Sequence, residues 1–167
     1  MRILLTTDCV GGVWTYSLDL ARGLQAAGAE VVLATMGAPL RADQRAEADE
    51  LRLAGLHESE FALEWMDAAW ADVDAAERWL LGLADGESVD LVHSNSFAHG
   101  AADWRRPVIV VGHSCVVSWW RAVERTDPPS EWDEYRRRVA AGLAAAHAVV
   151  APTHAMLDEL QSAYDGA

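Results

Sequence analysis

Two adjacent glycines, Gly11 and Gly12, follow an apolar segment at the start of the chain and precede a run with helical spacing. Because glycine has no Cβ atom, such a turn lets the backbone approach a phosphate closely, and the amides at a helix N-terminus favour a negatively charged ligand. These residues therefore predict an anion-binding turn. The G-x-G-x-x-G fingerprint of dinucleotide-binding proteins is incomplete, however, and a turn without a ligand is an open alternative.

A second group that could do chemistry is the segment Gly-His-Ser-Cys-Val at 112–116, which ends an apolar run that begins at Pro107. A strand followed by G-x-S-x-G is the nucleophile elbow of α/β-hydrolases, in which Ser114 would be the nucleophile. The closing glycine is Val116 here, and little chain follows in which the required acid and histidine could occur. The pattern therefore disfavours a hydrolase. His113 ends this apolar strand, where an imidazole has little packing value, and is a candidate on that ground.

These groups must be positioned by strands and helices, which the apolar pattern predicts in alternation. After an N-terminal strand, the further strands are expected at 30–35, 60–63, 90–93, 107–112 and 148–151, and the helices at 13–24, 42–54, 73–83, 130–143 and 153–164. Alternation of this kind is typical of an α/β fold with a mostly parallel sheet covered on both faces. We therefore predict a three-layer, Rossmann-like sandwich.

The helix boundaries and faces follow from spacing and capping signals. Val13, Tyr16, Leu20 and Leu24 lie on one face of the first helix, which we expect to be buried. A Ser-x-x-Asp signal predicts a helix start at Ser130, and Thr153 is expected to cap the last helix. The three arginines at 136–138 follow several acidic residues, so we expect a solvated, charge-balanced helix face.

Right-handed crossovers bring the carboxyl ends of parallel strands to one edge, where ligands bind. The residues expected at this edge lie at 8–12, 35–37, 93–95, 113–114 and 152–153. They include more polar groups and glycines than a core requires. Among these residues, His93 is not expected to contact a ligand, because a hydrogen-bonded structural histidine is the favoured interpretation at that position.

Composition limits the possible partners and compartments. A chain of 167 residues with a net charge of −13 forms one domain and should repel nucleic acid and anionic lipid. It lacks an apolar run of transmembrane length and a signal peptide, so a cytoplasmic location is expected. In that compartment Cys9 and Cys115 should be free thiols. The histidines lack the spacing of a zinc site, so no metal is predicted.

The tryptophans have two interpretations. Trp119 and Trp120 are adjacent, so on a helix both cannot be buried on one face, and one of them could line a binding site. The alternative is that both pack between helices. Trp65, Trp70 and Trp79 are expected to be core or packing residues.

Taken together, the order and spacing of four segments resemble the N-terminal half of a family 4 glycosyltransferase of GT-B architecture. The resemblance covers essentially the whole chain, and its segments are MRILLTTDCVGGVWTYSLDLARGLQAAGAEVVLAT, DLVHSNSFAHG, PVIVVGHSCVVSWWRAV and AAHAVVAPTHAMLDELQSAYDG. It implies one half of a GT-B fold, comprising residues 1–167, with the C-terminal domain that binds the nucleotide sugar absent.

The resemblance also implies the chemistry. The enzyme would transfer a hexose with retention from a nucleotide-diphosphate sugar to an unknown acceptor, without a cofactor or a required metal. Gly11 and Gly12 would face the diphosphate, and His113 would point at the hexose and stabilise developing charge by hydrogen bonding. Asn95 and Ser114 would lie nearby. This chain alone should not turn over, and the alternative is a non-enzymatic Rossmann-like module that binds a nucleotide or a partner protein.

Overall fold

The computed structural model describes residues 1–164 and is built on a six-stranded, all-parallel sheet. The strands are β1 (Arg2–Asp8), β2 (Glu30–Met36), β3 (Gly55–Glu58), β4 (Leu91–Ser94), β5 (Val108–Val111) and β6 (Ala148–Val150). The α-helices are α1 (Gly12–Ala26), α2 (Ala42–Asp49), α3 (Trp70–Gly86), α4 (Val116–Trp119), α5 (Asp133–Ala145) and α6 (His154–Ala163). The predicted α/β class and Rossmann-like architecture are confirmed.

The strand order, β3-β2-β1-β4-β5-β6, places β1 between β2 and β4. From β1 the chain builds outward through β2 and β3, then crosses back to β4 on the other side of β1 and continues through β5 to β6. The direction of winding therefore reverses between β1 and β4. In parallel sheets the crevice beyond the carboxyl ends of the strands at such a switch point is where ligands bind.

Successive side chains of the buried strands point to opposite faces of the sheet, and helices cover both faces, which gives three layers. On β2, Val31 and Leu33 pack with α1 and α2, whereas Val32 and Ala34 point to the opposite face and pack with α3 and α5. Both sets are fully buried, as expected for a parallel strand covered on both faces. No helix within residues 1–164 is long and apolar enough to cross a membrane.

The third strand differs from its prediction at residues 60–63. It comprises Gly55–Glu58 and pairs with β2 from Val32 to Thr35. It is a half-buried edge strand with one aliphatic side chain, Leu56, so the pattern of apolar residues does not reveal it as a strand. The apolar residues 61 and 63 instead belong to a loop that packs into the core next to Gly37.

The buried face of α1 is also not the one predicted. The fully buried residues are Trp14, Ser17, Leu18 and Ala21, whereas Val13, Tyr16, Leu20 and Leu24 are half-buried. Trp14 is the largest side chain of the helix, and its indole donates a hydrogen bond to Glu47 of α2 at 2.7 Å. This anchoring rotates Tyr16 away from the core and toward the carboxyl edge of the sheet.

One of the two predicted helix starts is confirmed. Thr153 caps α6, since its Oγ1 accepts a hydrogen bond from the Met156 amide at 3.1 Å. Ser130 makes no capping bond; residues 130–132 form a 3₁₀ turn, and α5 begins at Asp133. The arginine run is charge-balanced as predicted, with Arg137 and Arg138 both paired to Glu134.

A close helix contact orders the segment that follows β4. Gly142 of α5 and Gly100 approach so closely that a Cβ atom on either residue would collide with backbone of the other segment, at Phe97 for Gly142. The 3₁₀ helix Ala98–Ala101 therefore lies directly on α5. This contact fixes the chain just beyond the switch point.

Candidate functional site

Asn95 lies immediately after β4, at the switch point, and its backbone amide and both polar atoms of its side chain form hydrogen bonds. Its backbone amide donates to Thr6 Oγ1 at 3.0 Å, and its side-chain Nδ2 donates to the Thr6 carbonyl at 2.7 Å and to Ser17 Oγ at 3.2 Å. Because the carbonyl requires the NH₂ group on that side, the side-chain oxygen Oδ1 points the other way. The amide thus has one possible orientation.

His113, two residues beyond β5, takes up the remaining Asn95 oxygen. Its Nε2 lies 2.9 Å from Asn95 Oδ1, and since that oxygen only accepts, Nε2 carries the proton. Burial lowers the pKa of His113, so the ring is neutral near pH 7 and Nδ1 is an acceptor. Within the described residues Nδ1 has no hydrogen-bond partner, which leaves it to a ligand.

Tyr16 completes this group and was missed by the sequence analysis, which assigned it to the buried face of α1. Its ring contacts the His113 ring edge-on, with centroids 4.5 Å apart. Its hydroxyl lies 3.3 Å from Nε2 of His93, a buried histidine whose pKa is lowered by burial and by the neighbouring His113 to about 4. The structure therefore gives His93 the structural role predicted for it, as support for Tyr16.

The Gly-Gly turn presents exposed backbone next to this group. Gly11 occupies the N-cap of α1 with a φ of 70°, which favours glycine, and no side chain caps the helix. A Cβ atom at either glycine would meet open space, so neither is needed for packing. The amides of the first turn are thus available to an anion. Asp8, whose pKa is raised by burial, accepts a hydrogen bond from the Val10 amide at 2.9 Å on the approach to this turn.

Glu64 is a second residue that the sequence analysis missed. Its buried carboxylate accepts hydrogen bonds from Ser96 Oγ and from the amides of Phe97 and Ala98, at 2.8, 3.0 and 2.8 Å. Burial raises its pKa, and the three donors oppose that rise. The contact between Glu64 and residues 96–98 could not be predicted from the sequence. It exists because the chain around residue 64 forms a loop where the sequence predicts a strand. Glu64 holds the segment that carries Asn95.

Between these residues lies a cavity of about 30 Å³, lined among others by Thr6, Asp8, Glu64, Trp65 and Asn95. That volume suits one or two water molecules and is far too small for a sugar. A ligand the size of a sugar would therefore not fit inside this cavity.

Ser114 is exposed and makes no hydrogen bond to a histidine or a carboxylate within the described part of the chain. Nε2 of the adjacent His113 is committed to Asn95. A serine nucleophile needs a base within hydrogen-bond reach, so this geometry gives the hydrolase interpretation no support.

A larger concave surface begins at Ser114, and we refer to it as the tryptophan cleft. Its volume is about 410 Å³, and it is lined by Trp65, Ser114, Cys115, Val116, Trp119, Trp120, Trp132 and Tyr135. The expectation that Trp65 is a core residue is wrong, since 46% of its surface is exposed. It lies in the loop between β3 and α3 and not in a helix that packs on the sheet. Trp119 is 52% exposed, in agreement with the prediction that one of the paired tryptophans could line a site.

The described residues contain no group of three His, Cys, Asp or Glu side chains that could hold a metal ion. Cys9 and Cys115 are free and buried, as predicted.

Comparison with known proteins gives a family and a fold. A sequence model described as Glycosyltransferase Family 4 matches residues 10–166. Among solved structures, the chain is similar to Arabidopsis thaliana UGT89C1 complexed with quercetin, with a TM-score of 0.59 and 10% identity over 97% of this chain and 46% of that one. It is also similar to Acinetobacter baumannii MurG, with a TM-score of 0.46 and 14% identity over 100% of this chain and 63% of that one. No curated protein matches it.

The chain spans about half the length of UGT89C1. At such low identity the likeness concerns the fold alone, and that fold is one half of a GT-B architecture, as predicted.

Proposed function

Since the chain belongs to glycosyltransferase family 4, we propose that it forms the acceptor-side half of a GT-B enzyme that transfers a hexose from a nucleotide-diphosphate sugar. A second domain, outside residues 1–167, would hold most of the donor. The reaction would retain the configuration of the sugar. The reduced thiols Cys9 and Cys115 suit the cytoplasm as its compartment.

The observation that carries this proposal is the Asn95–His113 pair at the switch point. Because Nε2–H is held by Asn95, the neutral ring offers Nδ1 as an acceptor for a sugar hydroxyl. Sugar transfer passes through a state with positive charge on the ring, and a fixed, neutral acceptor beside it is favourable. In this role His113 orients and stabilises the hexose and forms no covalent bond to it.

The Gly-Gly turn would help to bind the diphosphate of the donor. Uncapped amides at the N-terminus of α1 suit the diphosphate, because they are exposed and carry partial positive charge. The carboxyl groups of Asp8 and Glu64 line the cavity beneath the edge, which disfavours binding of the phosphates there. The diphosphate would therefore lie outside, against the turn.

One wall of a cleft cannot exclude water or hold both ends of the donor, so we expect the chain alone to show no transfer and weak donor binding. The test is an assay of the chain fused to its second domain, with a panel of nucleotide sugars, in which the anomeric configuration of the product is read by NMR. Transfer with retention by the fusion, and none by the chain alone, is the expected result.

Two results would contradict the proposal. An inert fusion protein, combined with tight nucleotide binding by the chain alone, would favour the non-enzymatic binding module. Transfer with inversion would refute the proposed stereochemistry.

A further inference from the structure

The tryptophan cleft is a binding-sized cavity whose walls come from three separate parts of the chain. Trp65 comes from the loop between β3 and α3, the residues at 114–120 follow β5, and Trp132 and Tyr135 lie at the start of α5. Its volume of about 410 Å³ falls within the range of small-molecule sites. Two large aromatic side chains, Trp65 and Trp119, are about half exposed there, and exposed apolar patches of this kind mark interaction sites.

Two residues of the lining connect the cleft to the candidate site. Ser114 directly follows His113. Trp65 also lines the small cavity beside Asn95. A molecule seated in the cleft would therefore extend toward the atom, Nδ1 of His113, to which we assign the sugar.

The chemistry of the lining restricts what can bind. No charged side chain lines the cleft, so a charged ligand would lose its hydration without gaining a counter-charge. No carboxylate or side-chain amide lines it either, although a sugar needs such partners for its many hydroxyl groups. What remains is a set of aromatic faces and a few hydrogen-bond donors.

Those donors are the hydroxyl groups of Ser114 and Tyr135 and the indole N–H groups. Trp14 and Trp104, elsewhere in the protein, donate to Glu47 and to the His99 carbonyl, both at 2.7 Å. In the described part of the chain, none of the four tryptophans of the cleft has such a protein acceptor. The rings are held edge to face, with centroids 5.9 Å apart for Trp119 and Trp120 and 5.8 Å apart for Trp132 and Tyr135. The walls thus consist of mutually packed aromatic rings, whose indole N–H groups are not used by the protein within the described residues.

From these observations we infer that the tryptophan cleft binds the acceptor of the transfer, and that this acceptor is an uncharged compound with a flat, apolar ring system and a hydroxyl group. The ring system stacks between the tryptophans, and the hydroxyl group points past Ser114 toward His113. This inference rests on the proposed function and specifies its substrate class.

The eight tryptophans provide a direct test by NMR, since each indole N–H gives one ¹H–¹⁵N signal that can be assigned by Trp→Phe substitution. The 167-residue chain is titrated with 2-naphthol, with its charged analogue 2-naphthoate and with methyl α-glucoside. We expect 2-naphthol to shift the signals of Trp65, Trp119, Trp120 and Trp132 saturably and to leave those of Trp14 and Trp104 in place. The dissociation constant for 2-naphthoate should be at least about tenfold higher.

Substitutions then locate the binding. Trp119→Ala and Trp65→Ala should each raise the dissociation constant for 2-naphthol about tenfold or more, whereas Trp119→Phe, which retains an aromatic face, should raise it less. Val150→Ala is the matched control, because Val150 is an exposed apolar residue on β6, outside the cleft, and it should change nothing. Unchanged signals of Trp14 and Trp104 verify that each variant is folded.

Three results would overturn the inference: shifts by the glucoside but not by 2-naphthol, equal binding of 2-naphthoate, or naphthol binding that survives both alanine substitutions. Because the titration needs no donor and no transfer, its outcome is independent of the proposed function. Specific naphthol binding with an inert fusion protein would refute only the glycosyl transfer, and an active fusion protein with an unresponsive cleft would refute only the acceptor class.

Discussion

Replacing His93 with glutamine should make the protein markedly less sensitive to mild acid. The pKa of His93 is lowered, chiefly by burial on β4, from an ordinary 6.5 to about 4. The folded state therefore binds this proton more weakly than the unfolded chain, and stability is lost as the pH falls from about 6.5 toward 4. The loss approaches about 1.4 kcal/mol per pH unit within this window, so His93 should account for about 2 kcal/mol between pH 7.5 and pH 5.

The assay is urea unfolding followed by circular dichroism at about pH 7.5, 6.5, 5.5 and 5. His93→Gln retains a group that can bond to the Tyr16 hydroxyl but cannot take up the proton, so it should lose about 2 kcal/mol less over this range than the wild type. His99, whose pKa is also lowered by burial, contributes equally to both proteins. His154→Gln, at an exposed histidine, is the control and should behave like the wild type. If His93→Gln and the wild type show the same pH dependence, then His93 is not a buried neutral group and the reasoning fails.

Three further predictions concern single contacts. Gly142→Ala should lower the free energy of unfolding by about 2 kcal/mol or more in urea titrations, because its Cβ would collide with the Phe97 backbone; a loss below about 0.5 kcal/mol would show that α5 can move away. A fluorophosphonate probe should leave Ser114 unlabelled by mass spectrometry, and stoichiometric labelling that Ser114→Ala abolishes would restore the hydrolase interpretation. Asn95→Asp should raise the pKa of His113 in an NMR titration, because a carboxylate would then face Nε2, and an unchanged pKa would argue against the contact.

Strands and helices can be predicted from the sequence where the pattern of apolar residues is strong. They are predicted poorly where contacts between distant parts of the chain determine their position. Strands such as β2 and β5 are mostly buried and apolar, so their positions follow from the run of apolar residues. The edge strand β3 has only one apolar side chain, and its pairing with β2 decides its position. In α1, one large side chain, Trp14, selects the buried face against the spacing of four smaller ones.

The residues of the candidate site also fall into those that the sequence predicts and those that only the tertiary structure shows. His113, Asn95 and the Gly-Gly turn could be predicted because they lie at strand ends, which topology brings to one edge. Tyr16 could not, because its position depends on the rotation of α1. Glu64 could not, because it reaches residues 96–98 through a loop without periodicity. These two positioning residues become visible only when the hydrogen bonds are known.

The role of His113 at the switch point is the central claim, and His113→Ala in the two-domain enzyme tests it most directly. Loss of a hydrogen bond that strengthens in the transition state should cost about 3 to 4 kcal/mol, which lowers kcat by roughly 10² to 10³ with a much smaller change in KM. The melting temperature should change little, since the side chain is half-buried at a strand end, and His154→Ala serves as the matched control. A kcat close to that of the wild type would remove His113 from the mechanism, and lost activity with a collapsed melting transition would show that the residue is structural.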